Sequence, residues 1–285
     1  MDRVKKAMIF GRGFGLYGHA VAMVDLGFEV FFPADYRPDV LEREEMAELW
    51  DKFHFIDDAT SSMSGMDLVC CARRPAENAG LAEKLFETNF SGSLVVEKPI
   101  HVTPDTAMRL AEKLNASGLN WGVPYLFLYE DWFADLKEGI SSNKKMVLNW
   151  SHQIFSTQAT WKSNAHQGGG ALAFYMIHIL AVFQALGLTY RLRKNEKAGW
   201  TFESAELCVN FQLDEIANFE ILENGKVKLS QAGPFGDMPR KGLRDPRATA
   251  LQKFYQDLLT GQGTNKTLAF HQGIHERWQD AIPKV

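Results

Sequence analysis

Cysteine is scarce in this chain, with three in 285 residues. Cys70 and Cys71 are adjacent inside an apolar run and Cys208 lies in another. No metal-ligand spacing links them, so neither a disulfide framework nor a cysteine-bound metal is expected, and buried apolar packing is the role their neighbours suggest. Runs of like charge are missing too. Lys and Arg number 31 against 35 Asp and Glu, for a net charge of −4. With no basic cluster, nucleic acid and anionic membrane surfaces are poor partners, and small molecules or proteins are better ones. No apolar stretch reaches the roughly 20 residues of a membrane span. The first strand-like run begins within a few residues of Met1, which leaves no room for a cleaved signal and makes the cytoplasm the expected location. Low-complexity tracts and internal repeats are also absent. Apolar residues are plentiful, at 46%, enough for a sizeable core and, at this length, for two domains of ordinary size.

The most informative stretch is Ala7-Met-Ile-Phe-Gly11-Arg-Gly13-Phe-Gly15-Leu-Tyr-Gly18. An apolar run ends in clustered glycines, and an apolar segment of helical periodicity follows over residues 20–26. This strand-turn-helix order suits a dinucleotide pyrophosphate, which is favoured at a helix N-terminus by free backbone N–H groups and by the helix dipole. Gly11 would permit the turn, Gly13 would let backbone approach the phosphates, and Gly15 would let helix and strand close up. A strict G-x-G-x-x-G places its third glycine at position 16, which is Leu16 here, so the spacing is a variant. A second strand is expected over 28–32. Asp35 follows about 20 residues after the glycines, where an acidic side chain holds the adenosine ribose. Arg37, two residues on, could instead pair with a 2′-phosphate. NAD and NADP both stay open, with NAD favoured because Asp35 would repel that phosphate.

Strands and helices alternate along the next hundred residues. A helix is expected over 39–52, strands over 53–56 and 66–72, a helix over 76–90, a strand over 92–99, a helix from Thr103-Pro-Asp105 to 116, and a last strand over 120–123. That alternation predicts a doubly wound, largely parallel sheet over residues 1–123. From about Pro124 helices at 130–140 and 170–186 are interleaved with strand-like runs at 146–155, 201–213, 216–222 and 226–230. Asp214-Glu215 and Glu223-Asn224-Gly225 read as hairpin turns. Residues 124–285 are therefore expected to form an α+β domain with a mixed, mostly antiparallel sheet, closed by helices at 246–260 and 269–280 across a polar, Gly-rich link. The cleft between the two domains is the default substrate site.

Two places could carry chemistry. Lys98 ends a strand-like run and precedes Pro99, and a lysine at the carboxyl end of a parallel strand points where a nicotinamide would lie. It could equally be a surface residue closing a strand. Gly168-Gly-Gly opens an apolar helix bearing Phe174, Tyr175 and His178 on one face. The glycines suggest close packing against something flat, another backbone or a cofactor. His178 and Tyr175 could be satisfied core residues or acid/base groups.

Taken together, Gly11-Arg-Gly-Phe-Gly15, Glu97-Lys98-Pro99 and Gly168-Gly-Gly-x7-His178 resemble, in order and approximate spacing, the glucose-fructose oxidoreductase, inositol dehydrogenase and rhizopine catabolism family (Gfo/Idh/MocA). The likeness spans nearly the whole chain. It implies an N-terminal Rossmann domain, a C-terminal domain whose sheet serves as substrate floor and homo-oligomer interface in a dimer or tetramer, and NAD(P)-dependent oxidation or reduction of a sugar, nucleotide-sugar or related compound. It implies a cofactor site at Gly11, Gly13, Phe14, Gly15, Asp35, Arg37, Glu97, Lys98 and Pro99, and catalysis by Lys98 and His178, with Tyr175 as a further acid/base group. One departure stands out, since the aspartate usual four residues before the histidine is Phe174 here. A phenylalanine transfers no proton. That substitution keeps open a non-catalytic dinucleotide- or sugar-binding sensor on the same fold. Imine reduction is a third use of the scaffold, and a redox-neutral reaction with bound NAD a fourth.

Overall fold

The computed structural model describes residues 3–153, 161–195, 199–237, 243–261 and 267–282. Its first half is a six-stranded, all-parallel sheet of β1 (Lys5–Phe10), β2 (Phe28–Pro33), β3 (Phe53–Ile56), β4 (Leu68–Cys71), β5 (Ser93–Val96) and β6 (Asn120–Gly122). The order β3-β2-β1-β4-β5-β6 is doubly wound, with its switch point between β1 and β4. β4 and β5 are buried at every position and apolar at all but Ser93, the pattern of central parallel strands. Helices α1 (Val21–Asp25), α2 (Arg37–Leu41), α3 (Ala59–Ser62), α4 (Pro75–Phe86) and α5 (Pro104–Ala116) connect them. The helix expected over 39–52 is α2 followed by a 3₁₀ segment, Glu44–Lys52. α5 begins as its sequence predicts, with Thr103 as N-cap in a capping box and proline in the first turn.

After α6 (Asp131–Ser141) comes β7 (Met146–Gln153) of a second sheet; residues 154 and 155, expected to extend it, lie outside the described residues, as does most of the expected Gly-rich link. Then follow α7 (Ile177–Ala185), β8 (Arg191–Lys194), β9 (Gly199–Glu203), β10 (Leu207–Asp214), β11 (Asn218–Glu223) and β12 (Lys226–Gln231). The sheet order is β12-β11-β7-β10-β9-β8, antiparallel except for β7 beside β10. The sheet is thus mixed and mostly antiparallel, as expected, but one hairpin is not there. β7 lies between β10 and β11, so Asp214-Glu215 links strands that do not pair. Local turn chemistry could not show that an earlier strand would take the central place. Asn224-Gly225 does close a hairpin, with both residues at positive φ. The expected strand over 201–213 is two strands, and β8 went unforeseen because its Arg191-Leu-Arg-Lys194 sequence carries a single buried residue.

Alternation along β7 and β10 turns Met146, Leu148, Trp150, Leu207, Val209 and Phe211 into the core. The opposite face carries a polar ladder, with Asn210 donating to Asn149 at 2.9 Å and Thr201 donating to Asn210 at 2.9 Å. One apolar cluster runs without a break from β4 and β5 through Trp121, Tyr125 and Phe127 to this sheet. The closing helices α8 (Arg247–Thr260) and α9 (Leu268–Ala281) return to the first sheet: α8 packs on α1, while α9 packs on α5 and α7. The chain after residue 124 therefore supplies one face of the dinucleotide-type sheet with Leu251, Phe254, Tyr255 and Leu258. Among the described residues, no helix is long and apolar enough to cross a membrane.

His275 on α9 is 3% exposed, and neither ring nitrogen has a hydrogen-bond partner among the described residues. Burial pushes its pKa down to about 4 from 6.5. Below pH 6.5 the unfolded chain takes up a proton that the folded chain refuses, so this group costs stability as pH falls from 6.5 towards 4. The wild type is expected to lose about 2 kcal/mol more than His275→Leu between pH 7 and pH 4.5, read from urea midpoints at the two pH values. Parallel losses in the two proteins would contradict the assignment.

Candidate active site

The glycine loop leaves β1 at the switch point of the first sheet. Gly11 is required by packing rather than by turn conformation: a Cβ there would lie 2.3 Å from the carbonyl oxygen of Ala72, just beyond β4, and its φ is not positive. Gly15 is close-packed against Ile9 and Ala72, which lets the following helix settle on the sheet. Gly13 is different, with nothing within 4 Å of its would-be Cβ. The helix opens with a π-helical turn, Gly15–Ala20, before α1. Phe14 lies over Gly18 and under Arg247, whose guanidinium is 4.2 Å from the ring centroid.

Asp35 is exposed just after β2. The arginine that meets it is Arg12 from the glycine loop, which pairs with both Asp35 and Asp39 and lies 4.5 Å over the Tyr36 ring. Arg37 instead places its guanidinium 4.5 Å over Phe55, in a groove of about 360 Å³ lined also by Leu41, Trp50 and His54. Beyond β4, the Asn78 side chain clamps Arg73 by accepting from its N–H at 2.7 Å and donating to its carbonyl at 3.1 Å. The Arg73 Nε donates to the Tyr36 hydroxyl at 3.0 Å.

Beneath the loop lies a buried polar chain that joins three parts of the sequence. His19, fully buried, is hydrogen-bonded through Nε2 to Glu97 at 2.9 Å and through Nδ1 to the Tyr255 hydroxyl of α8 at 2.6 Å. Burial alone would hold the imidazole neutral, yet Cys70 and Glu97 outweigh it and push the pKa up to about 10. When protonated, the ring donates from both nitrogens, to the Glu97 carboxylate and to the Tyr255 oxygen. The other Glu97 oxygen accepts the Lys98 backbone N–H at 3.1 Å. Glu97 is thus committed to shaping the end of β5. Cys70, expected as apolar filler, lies against His19 and Tyr255, and Cys208 is only half-buried.

The Lys98–Pro99 peptide is cis. Lys98 crosses to the other half of the molecule, where its Nζ donates to the Phe174 carbonyl at 2.7 Å and lies 4.3 Å from the Phe174 ring. Phe174 sits in a second π-helical turn, Ala171–Met176, ahead of α7; a π turn disturbs the i→i+4 ladder and presents carbonyls to side chains. Burial lowers the Lys98 pKa to about 8, with Glu97 resisting and the charges of Arg247 and Lys162 adding to the fall. Lys162 also lies over Phe174, at 5.3 Å.

The glycines before this helix serve the protein's own backbone. Gly168 and Gly170 have positive φ, and a Cβ on Gly169 would lie 2.1 Å from the Trp161 carbonyl oxygen. His178 is 7% exposed, stacked at 4.7 Å on Phe127, and its Nδ1 has no partner among the described residues. Burial, with the charges of Lys98 and Arg247, holds its pKa well below 6.5. It is a neutral imidazole, not the group titrating near neutrality that its residue type suggested. Tyr175 packs at 4.3 Å on His152, a histidine absent from the sequence reading. His152 is held at about 4 by burial and by Lys98, Lys162 and Arg247. The structure thus brings Lys98 to Phe174, as spacing suggested, and adds His19, Tyr255, His152, Lys162 and Arg247, none of which carries a motif.

A search of family models and a search of curated protein sequences each find no match. Solved structures do match over the full length. GenD2 from gentamicin A biosynthesis, in complex with NAD, superposes with a TM-score of 0.70 at 15% identity, covering 100% of this chain and 94% of that one. The WlbA dehydrogenase from Thermus thermophilus, in complex with NAD and UDP-GlcNAcA, gives 0.69 at 15% identity, covering 99% and 95%. The myo-inositol dehydrogenase of Lactobacillus casei, in complex with NAD(H) and myo-inositol, gives 0.67 at 13% identity, covering 98% and 95%.

Two substitutions separate the roles of the glycines. Gly11→Ala is expected to destabilise by about 1–3 kcal/mol through overpacking. Gly13→Val, in open space, should leave the urea midpoint within error and abolish NADH binding in calorimetry. Unchanged NADH affinity in Gly13→Val would remove the phosphate assignment. His19→Leu should cost about 3 kcal/mol in the same urea assay, because it takes a buried partner from one Glu97 oxygen and from the Tyr255 hydroxyl, whereas a midpoint like the wild type's would show the chain to be dispensable. The chain shares the fold of GenD2, of the WlbA dehydrogenase and of the myo-inositol dehydrogenase, which is the fold that the three motifs implied.

Proposed function

We propose that this protein is an NAD(P)-dependent oxidoreductase that moves a hydride between the nicotinamide and a hydroxyl-bearing or keto carbon of a sugar, nucleotide-sugar or related small molecule. The observation that carries this reading is Lys98, placed at the carboxyl end of β5 and reaching Phe174 on the helix that faces it. The loop at residues 11–15 would hold the pyrophosphate and Asp35 the adenosine ribose, with Arg12 released from it. NAD is favoured over NADP, because Asp35 repels a 2′-phosphate and Arg37 is turned onto Phe55. The nicotinamide, when bound, supplies the hydride.

A lysine with a pKa near 8 is protonated at neutral pH and close enough to it to give its proton up, which suits a general acid for the alkoxide that forms on reduction. His178, held neutral, accepts or donates a hydrogen bond without adding charge, and Tyr175 offers a hydroxyl beside it. Phe174 removes a carboxylate from the site but leaves the Lys98 route intact, so the loss of that aspartate does not by itself favour a sensor. The polar outer face of the second sheet is the surface through which a homodimer or homotetramer would form, and the expected compartment is the cytoplasm. NAD complexes of three proteins that share this fold support the cofactor assignment, and the UDP-GlcNAcA and myo-inositol bound to two of them support the substrate class.

Lys98→Met is expected to leave NADH affinity within about twofold while turnover of a responsive sugar substrate falls by roughly two to four orders of magnitude. Single-turnover oxidation of bound NADH, followed by absorbance, measures the step directly. An undiminished rate in the variant would contradict the assignment.

A further inference from the structure

The aromatic ring of Phe174 is shared by two ammonium groups that reach it from different parts of the chain. Lys98 comes from the first sheet at 4.3 Å and Lys162 from the 3₁₀ turn Trp161–Ser163 at 5.3 Å. An aromatic face attracts a cation weakly and brings no net charge. Neither ammonium has a carboxylate to itself. Glu97, next to Lys98, spends its oxygens on His19 and on the Lys98 backbone N–H. Lys162 makes no ion pair among the described residues. The third cation nearby, Arg247, is already matched by two hydrogen bonds to the buried Asp245, at 2.8 and 2.6 Å. His152, in contact with Tyr175, stays neutral under the same field. Like charges gathered around one ring repel one another more strongly where a ligand displaces water, so the arrangement is complete only with a counter-charge.

We infer that the cleft takes a substrate bearing an anionic oxygen group, a carboxylate or a phosphate, bound between Lys98 and Lys162 against Phe174. This deepens the oxidoreductase reading and rests on it. A neutral polyol would leave both ammoniums unmatched, and a carboxylate at position 174 would compete with the ligand's own charge. Phenylalanine there supplies a flat apolar wall, and Lys162 acts as a specificity-determining residue outside the hydride-transfer step.

The test is calorimetric titration of the protein saturated with NADH, using D-glucuronate, D-glucose 6-phosphate and D-glucose as probes. At least one of the two anions is expected to bind ten or more times more tightly than glucose, and which one identifies the group as carboxylate or phosphate. That advantage should shrink towards unity in Lys162→Met, persist in Lys162→Arg, and fall in the wild type as KCl is raised. Lys162 is exposed, so these variants should fold, and circular dichroism verifies it. Affinities for all three probes within twofold, binding of none of them, or an advantage unchanged in Lys162→Met would overturn the inference while leaving the oxidoreductase reading in place. Failure of NADH itself to bind would overturn both.

Discussion

A buried, doubly hydrogen-bonded histidine holds this molecule's site together. His19 has no access to water, yet one ring bonds Glu97 and Tyr255 at once, and its neighbours raise its pKa against the effect of burial. Those contacts tie the helix after the glycine loop to the end of β5 and to α8, which comes more than 200 residues later in the chain. A buried charge is costly unless paired and hydrogen-bonded, and here the pairing partner is the residue that precedes Lys98. The geometry of the lysine is therefore linked to the docking of a helix from the far end of the sequence.

That linkage explains how two sheets serve one site. The first sheet presents backbone donors and Lys98 at its carboxyl edge. The second supports the helix whose π turn offers the Phe174 carbonyl to Lys98. One apolar cluster packs the two sheets together. Burial beside two other cations brings the lysine's pKa to about 8, which turns a strongly basic residue into one that can exchange a proton near neutral pH. The same burial keeps His178 and His152 uncharged. Of these three groups, Lys98 is the one that keeps its proton at neutral pH.

Much of this was legible in the sequence where the determinants are local. The run Ala7-Met-Ile-Phe10 followed by spaced glycines foretold the first strand and turn, and the alternation of strands and helices foretold the parallel sheet. Lys98 before Pro99 foretold a residue aimed from a strand end. Determinants that act across the chain were not legible. β7 lies between β10 and β11 because of sheet pairing, which no turn signal between residues 214 and 215 reports. The arginine at Asp35 is Arg12, because the loop folds back over Tyr36, whereas the neighbour in sequence, Arg37, turns away. Gly11 is needed for the carbonyl of Ala72, a contact between strands, and the glycines at 168–170 serve their own turn. His19, Lys162 and Arg247 had no motif to mark them, since their importance comes from what packs beside them.

The most direct measurement is a crystal structure of the protein grown with NADH. The pyrophosphate should lie on the loop at residues 11–15, with Asp35 turned from Arg12 to the adenosine ribose and the nicotinamide ring on the Lys98 side of Phe174. A dinucleotide seated elsewhere, such as the groove between Arg37 and Trp50, or a nicotinamide turned away from Lys98, would contradict the proposed hydride transfer at this site.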